Sequence, residues 1–229
     1  KNKMLKSIYQ NGGFWVARYE AGITSNRTSN TEITEEPKSK AGLYPYNFVT
    51  RTQAKVIAEK VKYESYTGSL LFGVQWDLML AFIHNKGNVD DKILNYDSTT
   101  IGNYYNATYI MSKGMYKIYR NYVLDSEWSK YSIPVEKYID SNLKKVKQNA
   151  TGDGVLLTTG AVEQYVMMNI YDVAGNVWEW TLEYGTSDRK CVDRGGGCYN
   201  DGKLCMATGR GRGIERGSNG DTGFRISIY

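Results

Sequence analysis

Hydrophobic and polar residues alternate along Gly12-Gly-Phe-Trp-Val-Ala-Arg-Tyr-Glu20, the pattern of a strand entering a sheet. Residues 22 to 42 lose that rhythm and, being polar throughout, predict a loop. A helical spacing follows at Ala54, Ile57, Ala58 and Val61, with Thr50 placed to cap it. A second helix is predicted from Val74 to about Asn85, where Trp76, Leu78, Met79, Ala81, Phe82 and Ile83 make a broad apolar face. Residues 86–160 are less legible: Tyr, Asn, Lys and Ser dominate, apolar runs are short, and only Val155-Leu156-Leu157 fits a strand. Alternation returns at Asn176–Thr181, setting Asn176, Trp178 and Trp180 on one face and Val177, Glu179 and Thr181 on the other. Twelve of the 24 glycines fall in residues 171–229, which suits strands joined by long loops. No Pro- or Gly-rich linker divides the chain, so the expectation is one α+β domain spanning residues 1–229.

Composition sharpens this only in places. Hydrophobic residues at 41% and charged residues at 23% are ordinary for a folded domain. Twenty Tyr against five Phe is not ordinary, and Tyr favours half-exposed sites and binding surfaces. A net charge of +5 without a block of like charges gives no argument for nucleic acid. No run of about 18 apolar residues is present, so no membrane insertion is expected from this segment. The chain starts at Lys1 without an initiator Met, and reads as part of a longer product. Three sequons, at Asn26, Asn106 and Asn149, carry no meaning in a bacterial or phage product.

The chemistry-bearing residues gather toward the C-terminal end. Trp178 and Trp180 form an apolar anchor, and the Glu179 between them is hydrogen-bonded, exposed at a sheet edge, or holding a cation. Asp172, the carbonyls of Gly175 and Val177, and the Glu179 carboxylate offer an oxygen set for structural Ca²⁺; a plain strand with a satisfied Glu is the competing reading. Cys191, Cys198 and Cys205 are too few for a disulfide framework, although one bridge stays open. They lack CxxC spacing, and the sole His84 is distant, which speaks against zinc. No Ser-His-Asp set, P-loop or dinucleotide fingerprint is present. The Gly209-Arg-Gly-Arg-Gly213 run is short and bounded by strand motifs, unlike disordered RGG tracts that bind RNA.

Gly-Gly-Phe-Trp-Val-Ala-Arg-Tyr-Glu20, Leu71-Phe-Gly-Val-Gln-Trp76, Gly175-Asn-Val-Trp-Glu-Trp180, Arg194-Gly-Gly196 and Gly223-Phe-Arg225 occur in this order. Together they resemble the formylglycine-generating (sulfatase-modifying) enzyme family, which implies an elaborated C-type-lectin-like fold with residues 86–160 as a variable insertion. The resemblance also implies calcium at Asp172, Gly175, Val177 and Glu179. The enzymes of that family hold copper on two cysteines downstream of the Gly-Gly motif and oxidise a substrate cysteine. Counted without gaps from Arg194-Gly-Gly196, the second cysteine is Cys205, but the first position is Asn200, and Cys198 comes two residues early. One thiolate does not make the two-coordinate site Cu(I) prefers, so no catalytic residues and no copper are expected.

A second branch of the resemblance fits more closely, that of proteins diversified by retroelements in phages and bacteria. Their pattern of a Cys-Val-x-Arg-Gly-Gly start and a Gly-Phe-Arg end is met at Cys191–Gly196 and Gly223–Arg225, with Met206-Ala-Thr-Gly-Arg210 between. Adenine mutation of Asn codons reaches every residue type found between 197 and 221 except those at Lys203, Met206 and Glu215. The expectation is therefore a ligand-binding variable protein whose recognition region covers about 190–225. Its contacts would be Asp193, Gly197, Cys198, Tyr199, Asp201, Cys205, Gly209, Gly211, Arg212, Gly213 and Ile214. The partner would be a protein or glycan on a host or bacterial surface, met from a phage virion or a cell surface. A plain Gly-rich loop and a copper-dependent oxidase are the alternatives.

Overall fold

In the computed structural model, residues 2–31, 33, 35–130 and 153–229 are described, so the Asn149 sequon lies outside them. The N-terminal half runs α1 (Asn2–Asn11), β1 (Trp15–Val16), β2 (Gly22–Ile23), β3 (Tyr44–Pro45), α2 (Arg51–Ala58), β4 (Lys62–Tyr63), β5 (Tyr66–Leu70), α3 (Gly73–Gly87) and α4 (Asp91–Asn95). The rest runs β6 (Met115–Arg120), β7 (Val123–Leu124), β8 (Ser129–Lys130), β9 (Gly154–Leu157), a 3₁₀ turn (Glu163–Tyr165), β10 (Trp178–Tyr184), β11 (Cys191–Arg194), β12 (Arg210–Gly213), β13 (Thr222–Phe224) and β14 (Ile226–Ile228).

Local chemistry explains the helices. Thr50 accepts from the Gln53 N–H while Gln53 accepts from the Thr50 N–H, a reciprocal cap that starts α2. Gln75 Oε1 likewise takes the Phe72 N–H ahead of α3. In α3, Trp76, Met79, Leu80 and Ile83 turn inward, whereas Leu78 and Phe82 of the expected broad face stay exposed. The strand expected over Gly12–Glu20 is only Trp15–Val16, which pairs with Ile228 and Ser227. Beyond β1 the chain keeps single ties to the C-terminus, from Ala17 N–H to Ile226 and from Ala21 N–H to Phe224.

Four strands in the order β12-β11-β10-β13 carry the C-terminal motifs. Trp180 stands opposite Asp193 and Phe224, and Asp193 opposite Gly211, so these residues share one face. Glu179, Arg194 and Arg210 share the other. Asn176, expected in this strand, precedes it with φ at 60° and serves a different purpose. A second sheet, β1-β14-β5-β4, ties both termini together, and β6 pairs with β7, β8 and β9 in a third. The described part of 86–160 is thus a packed sheet, with Tyr116, Ile118, Val155 and Leu157 in the main apolar cluster beside Trp76, Tyr104 and Val173. Trp180 and Phe224 belong to a second cluster with Ile57, Ala58 and Ile226. No helix among the described residues is long and apolar enough to cross a membrane.

Candidate functional site

Two buried guanidinium groups fix the frame from which the C-terminal segment projects. Arg225 donates to both Glu179 oxygens from Nε at 3.1 Å, and to Oε1 from Nη2 at 2.6 Å. Its remaining hydrogens reach the carbonyls of Ala17, Tyr171 and Asp172. Arg194, whose side chain is fully buried, spans Asp77 of α3 at 2.6 Å and Glu183 of β10 at 3.0 Å. Arg210 closes the square, meeting both of those carboxylates at 2.8 Å. The Arg of the Arg-Gly-Gly motif is therefore a clamp between helix and sheet, and it also lies 5.6 Å over the Trp76 ring.

Around Arg225 the carboxylates outnumber the cation. Glu20 accepts from the Asn176 amide at 2.7 Å and from the Val177 N–H at 3.3 Å, and Asp172 accepts from the Gly160 N–H at 2.7 Å. Burial pushes the Glu20 carboxyl well up, reinforced by Asp172 and Glu179. Burial also raises Glu179, and Asp172 to about 6. Asp172 and Glu179 of the expected calcium set converge here, but the positive charge between them is the Arg225 guanidinium. With Glu179 spent on Arg225 and Asp172 on Gly160, the set does not present the six to eight open oxygens calcium takes.

Cys198 and Cys205 pack with different apolar clusters. Cys198 is wholly buried with Tyr119, Leu156 and Val177, while Cys205 packs on the separate cluster that contains Tyr104 and Trp76. Burial, with Asp201 and Asp193 nearby, raises the Cys205 thiol to about 11, the reverse of an activated thiolate. All three cysteines are thiols rather than disulfides. Asn200, at the other catalytic position by count, uses its Oδ1 to accept the Gly197 N–H at 2.8 Å.

The expected contact residues divide sharply. Arg212 is exposed and Ile214 is 57% exposed, as a recognition face requires. Tyr199 is half-buried and meets Tyr119 and Tyr122 edge-on, each at 5.2 Å. Cys198 and Gly197 are buried and are corrected from contacts to frame. Asp201 is half-buried but committed inward, accepting from Asn106 at 2.9 Å, Tyr105 at 3.3 Å and the Lys203 N–H at 2.7 Å. Cys205 and Gly209 are half-buried, and the Gly209 carbonyl accepts from Arg194 Nε at 3.0 Å. Gly211 and Gly213 lie under the Trp178 and Trp180 rings, where a β-carbon on Gly211 would stand 3.0 Å from Trp178 Cζ3. Asp193 is only 8% exposed, beside Gly211.

Sequence reasoning missed Leu204, which is 78% exposed, and the exposed Lys203, Glu215 and Arg216. Alternation along β12 would have separated Arg210 and Arg212 from the inward glycines, and a turn reading of 214–217 would have exposed its side chains. Leu204 sits on an irregular turn anchored by Asp201, for which periodicity gives no signal.

Residues 111–228 match the Sulfatase-modifying factor enzyme 1-like domain model (FGE-sulfatase). No curated protein sequence matches the chain. Among solved structures it is similar to CarF, at 14% identity and a TM-score of 0.49, over 98% of this chain and 80% of that one. It is also similar to Treponema denticola variable protein 1, at 15% identity and a TM-score of 0.41, over 80% of this chain and 70% of that one. Since the matched residues make up more than half of the sequence, this α+β domain of formylglycine-generating-enzyme/C-type-lectin-like fold belongs to the sulfatase-modifying factor enzyme 1-like family.

Proposed function

We propose that this chain is a ligand-binding variable protein that presents residues 203–216 as a recognition face on a rigid frame. The observation that carries this reading is the division of labour within one short segment. Arg194, Asn200, Asp201 and Gly209 are held by internal hydrogen bonds, whereas Leu204, Arg212, Ile214 and Arg216 extend into solvent; Lys203 and Glu215 are exposed too, but are residue types that adenine mutation of Asn codons does not reach. A segment ordered before its partner arrives loses little further entropy on binding, and its exposed side chains can change without loss of the fold. Arg and Gly, which recur in this segment, are also among the residues that adaptable binding surfaces use.

The partner in this reading is a protein or glycan on a host or bacterial surface, and the setting a phage virion or bacterial exterior. The copper-oxidase reading is less well supported, since it needs two adjacent thiolates. Here one candidate is buried among apolar side chains and the other is pushed toward its protonated form. Sequencing the surrounding locus tests the diversification. A near-copy of codons 190–225 beside a reverse-transcriptase gene, differing at adenines, is the expected result. Sibling sequences that vary evenly along the chain would overturn it.

A further inference from the structure

An apolar groove of about 750 Å³ runs between the N-terminal strand and α3, and no residue of 203–216 lines it. Leu78 and Phe82, one helical turn apart on α3, contribute to it and are 51% and 46% exposed. Trp15 of β1, 70% exposed, and the half-buried Phe14 contribute from the strand side. Gly12 and Gly13 join the lining, and a β-carbon on either would meet no atom within 4 Å, so the space beside them is open. Large apolar side chains left uncovered together in this way mark a binding surface.

A tight turn adds Met168 to the lining. Met167 and Ile170 exchange backbone hydrogen bonds at 2.8 and 2.9 Å, with φ at 50° for Met168 and 66° for Asn169. Two successive positive values make a mirror-image hairpin turn, a conformation rare for a side chain as large as Met. The turn sets Met168 against α3, its Cγ 3.0 Å from where a Gly87 β-carbon would stand. Met168 nevertheless stays 40% exposed, which makes it adaptable lining rather than core. Arg18 is the one ionisable side chain in the lining, and it is exposed. Among the described residues it enters no ion pair or side-chain hydrogen bond, whereas Arg194, Arg210 and Arg225 are each committed to carboxylates.

An apolar groove with one uncommitted guanidinium is complementary to an apolar body that carries one negative charge. Its volume falls within the range of about 300–1,000 Å³ typical of small-molecule sites. The space is concave and bounded by α1, the strand segment, α3 and the 167–170 turn, which favours a small molecule over the flat face of a second copy. We propose that this groove binds a small amphipathic carboxylate, with its hydrocarbon part against Trp15, Leu78, Phe82 and Met168 and its carboxylate on Arg18. This site is independent of the recognition reading above, and its failure would leave that reading intact.

The test is a calorimetric titration of the full chain at pH 8 with decanoate, decan-1-ol and decyltrimethylammonium, each kept monomeric. The expected result is saturable decanoate binding, about fivefold tighter than either control, the size of one exposed ion pair. Arg18→Met should lower decanoate affinity about fivefold and leave decan-1-ol unchanged, while Arg18→Lys should retain more of the decanoate affinity. Trp15→Ala and Phe82→Ser should weaken all three ligands. These positions are exposed, so the variants are expected to fold, and circular dichroism checks it. If a variant does not fold, the charge selectivity of the wild type decides. No saturable decanoate binding, equal affinity for decanoate and decyltrimethylammonium, or unchanged decanoate binding in folded Arg18→Met would each overturn the proposal. So would a concentration-dependent dimer in sedimentation that Phe82→Ser dissociates, since it would assign the groove to a second copy.

Discussion

Glu20, Asp172 and Glu179 share Arg225, so removing its guanidinium would strand buried carboxylates in an apolar interior. Arg225→Met is expected to lower unfolding free energy by about 3–5 kcal/mol in urea titration. A loss below about 1 kcal/mol, the size of an ordinary substitution, would contradict that role. The same residue scale separates frame from face on β12. Arg212→Ala should change stability by no more than about 0.5 kcal/mol, as exposed positions do. Gly211→Ala should cost clearly more in the same titration, because its methyl would meet Asp193 and Trp178.

At the scale of elements, α2 offers the simplest check of the local code. Thr50→Ala removes one half of its reciprocal cap and should cost about 1 kcal/mol, read from chemical denaturation; no change would show that tertiary packing alone starts the helix. α2, α3 and β10 were legible because their periodicity or capping residues act locally, whereas the ten-residue α1 was not read from the sequence. The short strands were not, since β1, β2 and β3 hold two residues each and are fixed by partners far along the chain, such as Ile228 opposite Trp15. The site was legible in part for a related reason. Motif order pointed to the segment proposed for recognition, and Arg212 and Ile214 face solvent there. Cys198 is buried against β9, whose Gly154 backs onto the Cys198 carbonyl from outside the segment, and Gly197 is covered by Trp178 and Asp221. The Arg194 clamp depends on Asp77 of α3, more than a hundred positions away.

For the whole molecule, buried acids should govern the response to pH. Asp193 is raised to about 7, by burial and then by Asp221, while Asp172 and Asp221 are raised to about 6, chiefly by burial. A folded state that binds more protons than the unfolded chain gains stability at low pH and loses it as pH rises through the folded values. Thermal melts should therefore show Tm falling between about pH 4, the ordinary carboxylate range, and pH 7. Asp193→Asn should flatten the upper part of that slope, and a Tm that climbs steadily over the same interval would contradict the sign. Asp97 and Glu163 oppose the trend, held low by Thr99 and Lys113, but they lie near solvent where such effects are weak.

The central claim is that one segment contains an invariant frame and a face free to change. Two displayed libraries scored by protease resistance test it: one randomises Lys203, Leu204, Arg212, Ile214, Glu215 and Arg216 together, the other Asp193, Gly197, Gly211 and Gly213. Most members of the first should resist protease as the parent does, and most members of the second should not. Equal collapse of both libraries would contradict the account.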